Sequence, residues 1–401
     1  MMYFRAMNWT ELQAFDSNTK EQWLKAIQKE LGDKSLESLQ WSPSAGISLD
    51  PYYTTIERVE WQNSGVMPFL IHQSVGGNGN QNAHDEAMQC LTGGAQSIGF
   101  DEVPANMDWH SQLQEIEWPF IQIFWKNFPF TSSAVESLAA YASQRGWDKS
   151  ALRGSFGVDA AVLWKNKIDQ ETIAAFRTHF PACRIFVIRE HTVLGGQSGH
   201  AIAGVLAQVQ EALHSLVSNG WTIDDASAMI QINAEVGTSY FREITKLRVL
   251  RHLYSEVVKA YAPKHACSTS IWMHTTTSSE TYAEVDTDTN LLRATTMAMS
   301  AAIGQSSSIE IAPHDASYDR INTLRWSRNM LHLLREESYF DHALHAAKGS
   351  YYLESFAQQM AKDAWERLHS IEEAGGWISQ EEAWLNTSDR FANEHKERIA
   401  K

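Results

Sequence analysis

A histidine followed by a run of hydroxyl side chains is a candidate for chemistry. His274 opens the segment HTTTSSET, directly after a short apolar run typical of a β-strand. An imidazole at the end of a strand can bind a polar group or transfer a proton. The alternative, which the residue type alone favours, is a structural histidine whose ring is satisfied by neighbouring hydrogen-bonding groups.

Other candidate groups point less clearly to a site. Asp286 and Asp288 could ligate a metal, but they lie just before a helix expected from Asn290, whose N-terminus they would solvate. The Gly-rich segment 76–80 lacks the Lys-Ser/Thr ending of a phosphate-binding loop, so we interpret it as a flexible connection. Residues 195–199, GGQSG, either allow a close backbone approach or simply lead into a helix. We therefore predict no metal site.

The elements that must position such groups form a regular alternation. Short apolar, β-branched or aromatic runs alternate with amphipathic helical stretches such as 200–220 and 290–304. The runs are 67–73, 95–100, 119–125, 154–159, 183–190, 228–233, 269–275 and 307–313. Eight strand–helix alternations predict an α/β fold of the (β/α)8 TIM-barrel type. A doubly wound open sheet is the alternative, but no Gly-x-Gly-x-x-Gly follows the first strand.

The regions outside the barrel are expected to form an N-terminal arm (1–60) and C-terminal helices packed on the barrel (346–401), with the barrel at 61–345. In the arm, a helix is predicted from about Thr19 to Leu31, with Asn18 as its N-cap and Gly32 just past its end. Its apolar stripe, Trp23, Ile27 and Leu31, needs a surface to pack on. That surface is either the chain's own barrel or another subunit.

The C-terminal ends of the strands are where a parallel barrel carries its functional groups. Those ends offer a mixed polar set: Gln73, Asp101, Asp159, Arg189, Glu190, His191, Asn233, His274, Thr275, Thr276 and His314. The set by itself does not select one reaction.

Composition excludes several classes of protein. The 401 residues carry a formal charge of −15, which disfavours binding to nucleic acid. The three cysteines are far apart, and no Cys-x-x-Cys pattern suggests a thiolate zinc site. No secretory signal and no apolar stretch of membrane-spanning length is visible. We expect a cytoplasmic protein.

Four segments resemble the methylmalonyl-CoA mutase family, in the family's order and over nearly the whole chain. They are ELGDKSLESLQW…GISLDPYYT (30–54), NAEVGTSYFREITKLRVLRHLY (233–254), TSSETYAEVDTDTNLLRATTMAMSAAIGQSSSIEIAPHD (277–315) and the region 325–376 with KGSYYLESF and IEEAGG. The resemblance implies an adenosylcobalamin-dependent carbon-skeleton mutase acting on acyl-CoA, with the pantetheine chain threaded through the barrel axis. It also implies a separate cobalamin domain carrying Asp-x-His-x-x-Gly.

The sequence departs from the family's catalytic pattern at several positions. Its one Asp-x-His, at 108–110, lacks the following glycine, so the cobalamin domain is expected to be missing. Val193 or Leu194 stands where catalytic chains have a histidine. Ser155 and Gly157 replace a Thr and a Gln, Lys167 lies near an Arg position, and Met229 and Gln231 replace CoA-contacting residues. His274 is retained, but its partner Gln is Thr276.

These departures look like the small (β) subunit of heterodimeric mutases. The leading hypothesis is a non-catalytic subunit, without catalytic residues of its own, that stabilises a large subunit carrying the adenosylcobalamin. One alternative is an acyl-CoA-binding barrel of a split mutase whose cobalamin domain is a separate chain. Another is an unrelated barrel that holds CoA. The substrate-binding positions expected from the resemblance are Gln73, Ser155, Lys167, Gln197, Gln231, Asn233, His274 and Thr276. The expected interface residues are Trp23, Ile27 and Leu31.

Overall fold

Eight parallel strands close into a barrel in the computed structural model of the chain. The structure describes residues 19–44, 46–55, 59–61, 68–76, 83–104, 107–165, 169–191, 197–315, 318–342 and 346–399, with side chains to 393. A separate hairpin supplies β1 (Trp41–Ser44) and β2 (Ile47–Leu49). The barrel strands are β3 (Leu70–Val75), β4 (Ser97–Phe100), β5 (Gln122–Trp125), β6 (Arg153–Asp159), β7 (Cys183–Arg189), β8 (Ile230–Val236), β9 (Trp272–Thr277) and β10 (Ser308–Glu310).

The barrel closes where β10 pairs with both β3 and β9, with Ile309 opposite Ile71 and Thr275. Each of the eight predicted runs overlaps one barrel strand, so the (β/α)8 prediction is confirmed and the open sheet is ruled out.

Helices surround the barrel. They are α1 (Lys20–Leu31), α2 (Ala83–Thr92), α3 (Trp109–Leu113), α4 (Ser132–Gln144), α5 (Ala161–Trp164), α6 (Gln170–His179), α7 (Ser198–Ser218), α8 (Ile223–Ala228), α9 (Tyr240–Ala260), α10 (Asn290–Ile303), α11 (Arg320–His332), α12 (Tyr351–Glu373) and α13 (Gly376–Ile399). The predicted helices at 200–220 and 290–304 correspond to α7 and α10. Within the described ranges, no helix combines the length and apolarity needed to cross a bilayer.

Local sequence starts several of these helices. Thr131, Asp169, Thr222 and Asp319 stand immediately before α4, α6, α8 and α11, and each side chain accepts a hydrogen bond from a backbone N–H two or three residues further on. Such caps satisfy donors that a helix N-terminus otherwise leaves unpaired. The helix positions around the barrel are therefore encoded close to where each helix begins.

The arm is anchored at its hairpin rather than along its helix. Ile47 and Leu49 of β2 are buried, and the backbone N–H of Ser48 donates to Gln359 Oε1 of α12 at 3.3 Å. Helix α1 buries none of its residues. Trp23 contacts the Tyr52 ring, with centroids 5.1 Å apart.

The predicted cap of α1 was wrong by one position. Thr19, not Asn18, is the N-cap, because Thr19 and Gln22 form a reciprocal capping box in which each side chain bonds to the other's backbone N–H. Asn18 itself lies outside the described residues. The predicted end of the helix at Gly32 is confirmed, since Gly32 has a φ of 60° at the C-cap.

A buried ion pair ties the C-terminal helices to the barrel. Arg248 of α9 binds Glu354 of α12, with Nη2 2.9 Å from Oε1 and each side chain 8% exposed. The indole N–H of Trp61 donates to the other carboxylate oxygen of Glu354. A partly desolvated pair with further hydrogen bonds fixes geometry more strongly than an exposed pair. Glu354 thus connects helices α9 and α12 to the segment that precedes the barrel.

Candidate functional site

Three aromatic rings meet on the barrel axis. His72 of β3, Phe124 of β5 and His274 of β9 have ring centroids 4.6 to 5.7 Å apart. In the closed order, β5 and β9 are four strands apart around the eight-stranded barrel and therefore face each other across it. Contact between Phe124 and His274 means that side chains fill the axis at this level. We refer to these three residues as the ring layer.

Neighbouring strands determine how the two histidines are oriented. Ser97 Oγ lies 2.8 Å from His72 Nδ1, and Ser308 Oγ lies 2.8 Å from His274 Nδ1. Gly99 leaves room for the His72 ring, because a Cβ at that position would lie 2.7 Å from Nε2. Both histidines therefore have their Nδ1 atoms bound by serines and their Nε2 atoms turned toward the inside of the barrel.

A cavity of about 350 Å³ lies on the C-terminal side of the ring layer. Its lining includes Lys126, Asp101, Glu310 and Arg320. Lys126 Nζ is 2.6 Å from Asp101 Oδ1, and Arg320 Nε is 3.1 Å from Glu86 Oε2. Each cation of the lining is thus bound to a carboxylate, and Lys126 also acts electrostatically on Glu310, the acidic group beside the histidines.

Burial and charge shift the protonation of this cluster. Burial, and then the neighbouring His274, lower the pKa of His72 to about 3, so its imidazole is neutral near pH 7. Burial would raise the pKa of Glu310, but Lys126 and His274 together hold it well below its ordinary value. The Glu310 carboxylate is therefore ionised while the His72 ring beside it is uncharged.

A second cavity, of about 380 Å³, opens at the N-terminal end of the barrel. It is lined by residues at the starts of the strands, such as Leu70, Ile230 and Trp272, and it shares no lining residue with the first cavity. The Arg184 guanidinium lies 3.9 Å from the centroid of the Trp272 ring. Burial lowers the pKa of Arg184 to about 10, which leaves it charged near neutral pH. The ring layer separates the two cavities.

Four of the predicted binding positions line the C-terminal cavity: Gln73, Asn233, His274 and Thr276. The Gln73 amide is already bound to α11, because its Nε2 donates to the Leu324 carbonyl at 2.6 Å and its Oε1 accepts from Arg328 at 2.8 Å. Asn233 Oδ1 accepts from Gln231 Nε2 at 2.6 Å, and Thr276 Oγ1 is 3.4 Å from His274 Nε2.

Of the other predicted positions, those that the structure describes do not line this cavity. Ser155 is buried in β6, where its Oγ accepts from the Gly157 N–H at 3.3 Å. Gln197 is half-buried at the start of α7. Lys167 lies outside the described residues, as do Val193 and Leu194.

Sequence reasoning missed His72, Lys126 and Glu310. His72 and Glu310 are titratable residues within predicted strand runs, and a titratable side chain in a barrel strand could have marked an inward-facing group.

Within the described residues, one group of potential metal ligands was found: His72, His274 and Glu310, whose donor atoms all lie within 4.8 Å of one another. The Asp-x-His at 108–110 does not fit a cobalt-binding role. Asp108 caps the short helix α3 by accepting from the His110 N–H at 3.0 Å, and Trp109 is buried. These residues build a helix start, so no step through cobalamin is derived from them.

The closed order of eight parallel strands places the chain in the (β/α)8 barrel class. A family model described as methylmalonyl-CoA mutase matches residues 136–399. The methylmalonyl-CoA mutase small subunit of Porphyromonas gingivalis is 27% identical over 404 residues, covering 92% of this chain and 65% of that protein. The methylmalonyl-CoA mutase of Cereibacter sphaeroides is 24% identical, covering 88% of this chain and 58% of that protein. The methylmalonyl-CoA mutase large subunit of Streptomyces virginiae is 24% identical, with 90% and 57% covered.

The family model spans more than half of the chain, and the chain belongs to the methylmalonyl-CoA mutase family. It spans between 57% and 65% of the length of the three relatives.

Proposed function

We propose that this chain is a small, non-catalytic subunit of an adenosylcobalamin-dependent methylmalonyl-CoA mutase. The complex interconverts methylmalonyl-CoA and succinyl-CoA, and this chain stabilises a large subunit that carries the cobalamin. Family membership and the similarity to a relative named as a small subunit support the assignment. The isomerase activity belongs to the complex, and the chain alone is inactive.

The ring layer is the observation that carries the non-catalytic role. An acyl-CoA whose pantetheine chain runs along the barrel axis needs an open axis, whereas Phe124 and His274 touch across it. Both residues are at most 5% exposed, so their rings are packed against neighbouring side chains and do not line an open channel. Moving Phe124 aside would break its ring contacts with His72 and His274. Support of a partner fits this interior better than substrate binding.

Helix α1 is the proposed contact with the large subunit. Its stripe of Trp23, Ile27 and Leu31 is half-buried, and no residue of the helix is fully buried against its own barrel. The hairpin that follows is nevertheless anchored on α12. An apolar stripe on an anchored arm is typical of a surface completed by a partner.

The two cavities favour a second candidate. An acyl-CoA-binding barrel in a split mutase would use the cation of Arg184 at the N-terminal cavity and the polar groups Asn233, His274 and Thr276 at the other end. This function requires the ring layer to open, because the ring layer otherwise separates the N-terminal cavity from the C-terminal cavity. It predicts measurable binding of an acyl-CoA by the chain alone, with Phe124→Ala binding it more tightly than the wild type.

Affinity purification of the tagged chain from its native host, with identification of the partner by mass, distinguishes these functions. A large mutase chain that carries cobalamin supports the subunit role, and the reconstituted pair should convert methylmalonyl-CoA only when both chains are present. A small cobalamin-binding chain supports the split mutase. Recovery of neither partner contradicts both.

Phe120→Ala is a matched control for the arm. Phe120 is 86% exposed and lies ahead of β5, outside the arm, so its truncation should leave assembly unchanged. Trp23→Ala should weaken it.

A further inference from the structure

Three side chains on adjacent barrel strands direct ligand atoms to one point. His72 on β3 and His274 on β9 flank Glu310 on β10. Glu310 Oε2 lies 3.9 Å from His72 Nε2 and 3.6 Å from His274 Nε2. These separations exceed good hydrogen bonds, whose N···O distance is about 2.7–3.2 Å. They come close to the roughly 3.3–3.5 Å between neighbouring ligand atoms of a tetrahedral zinc ion with bonds of about 2.0–2.2 Å.

The groups behind these ligands are arranged as around metal-binding histidines. Ser97 and Ser308 each bond the Nδ1 atom of one ring, which fixes the ring plane and turns Nε2 toward Glu310. The contact from Thr276 Oγ1 to His274 Nε2 is long, at 3.4 Å. The backbone N–H of Ser74 donates to Glu310 Oε1 at 3.1 Å, so Oε2 is the oxygen presented to the rings. Each ligand is thus oriented by a separate hydrogen bond.

The charges of the site permit a cation. The cations Lys126 and Arg320 are paired with Asp101 and Glu86 respectively. Lys126 also acts electrostatically on Glu310, the carboxylate that faces the two imidazoles. Imidazoles bind metals in their neutral form. The adjoining cavity of about 350 Å³ has room for a water or another exogenous ligand.

We propose that His72, His274 and Glu310 bind one divalent transition-metal ion through the two Nε2 atoms and Oε2, with a remaining coordination position open to the C-terminal cavity. Two imidazoles and one carboxylate favour Zn²⁺, Co²⁺ or Fe²⁺ over Mg²⁺ and Ca²⁺, which prefer oxygen ligands. The site departs from the sequence prediction of no metal. The proposed metal site does not depend on whether the chain is a mutase subunit. A bound ion would join three strands across the seam where the barrel closes.

The test uses the full chain after removal of metal with a chelator. Titration with Co²⁺ should saturate at one equivalent, and its visible absorption should change from that of the hexa-aqua ion to that of a four- or five-coordinate site. Zn²⁺ should displace it with equal stoichiometry, whereas Mg²⁺ should not. Failure to bind a stoichiometric ion overturns the proposal.

Variants locate the ion. Glu310→Gln and His274→Gln should each weaken Co²⁺ binding by more than the roughly 10–100-fold expected on loss of an outer-shell partner. The matched control is His314→Gln, a buried histidine outside the cluster, which should bind like the wild type. Wild-type affinity in Glu310→Gln places the ion elsewhere and refutes the assignment.

A measurement on the wild-type chain tests the site even if the variants fail to fold. X-ray absorption of the Zn²⁺-loaded chain should show scattering from two imidazole ligands, and a spectrum with oxygen ligands alone would contradict the site.

Discussion

Replacement of Lys246 by Met tests how the barrel tolerates buried charge. Lys246 Nζ lies 2.8 Å from Glu190 Oε1 and 3.0 Å from Glu243 Oε2, and the three side chains are 7%, 3% and 5% exposed. Removing one partner of a buried ion pair destabilises by about 3–5 kcal/mol, because an uncompensated charge remains. Arg242 still contacts Glu243 at 3.2 Å, so mainly Glu190 loses its partner. We expect the lower end of that range, about 3 kcal/mol.

The same helix carries a matched control. Lys259 binds Glu256 at 2.7 Å with the same i,i+3 spacing, but its side chain is 50% exposed and that of Glu256 40%. Exposed pairs of this kind contribute about 0.3–0.5 kcal/mol. Urea unfolding at pH 7 should therefore show Lys246→Met losing several times more free energy of unfolding than Lys259→Met. Equal losses in the two variants would refute the view that burial makes the difference.

The pH dependence adds a second check on the same pair of variants. Burial raises the pKa of Glu190 even with Lys246 present, and loss of the lysine should raise it further. The folded variant then takes up a proton at a higher pH than the unfolded chain does. Its free energy of unfolding should rise relative to the wild type as the pH falls from 7 toward 5. A deficit that stays constant over this range would contradict the assignment of the lost stability to Glu190.

Further predictions concern the arm, the axis and the cofactor. Trp23→Ala should weaken assembly with the large subunit by more than about 1 kcal/mol, measured by titration of the two chains, and change the stability of the isolated chain less; normal assembly with lower thermal stability would make the arm a structural element. Phe124→Ala should lower the free energy of unfolding by about 3–5 kcal/mol, since its ring is 5% exposed in the ring layer, and a loss below about 1 kcal/mol would mean that the axis is not packed there. Spectroscopic titration of the chain alone with adenosylcobalamin should show no stoichiometric binding, because Asp108 and His110 form a helix start rather than a ligating loop. Thr19→Ala should reduce the helicity of α1 through the loss of about 1 kcal/mol of capping, as seen by circular dichroism. Ser35→Ala should not, because Ser35 stands before the separate 3₁₀ helix Leu36–Leu39 and makes no side-chain cap bond.

The order of elements was predictable because the signals for it are local. Apolar, β-branched or aromatic runs and helical apolar patterns lie within single segments, and each of the eight predicted runs overlaps a strand of the barrel. The end of α1 at Gly32 was also local, since a glycine tolerates the positive φ of 60° found there. The cap at Thr19 was missed because the neighbouring Asn18 is also a preferred N-cap residue. The Thr19–Gln22 spacing of a capping box was nevertheless visible in the sequence.

Which side chains face the axis was decided only by the tertiary structure. His72 and Gln73 are adjacent in a strand that is buried on both faces, so the apolar pattern does not tell the inner face from the outer one. In the barrel His72 joins the ring layer, whereas Gln73 bonds to α11. Two adjacent residues of one strand thus have different roles: His72 points to the barrel axis, and Gln73 binds α11.

The cluster of His72, His274 and Glu310 shows the same limit over a longer range. Ser74, which orients Glu310, is 236 positions away from it, and nothing in the local pattern of either segment refers to the other. The sequence by itself determined eight strand–helix units, the arm helix and the family. Closure of β10 between β3 and β9 then brought the three potential ligands together and placed Phe124 opposite His274. Contacts between distant segments depend on barrel closure and register, which are properties of the whole sheet rather than of any one strand.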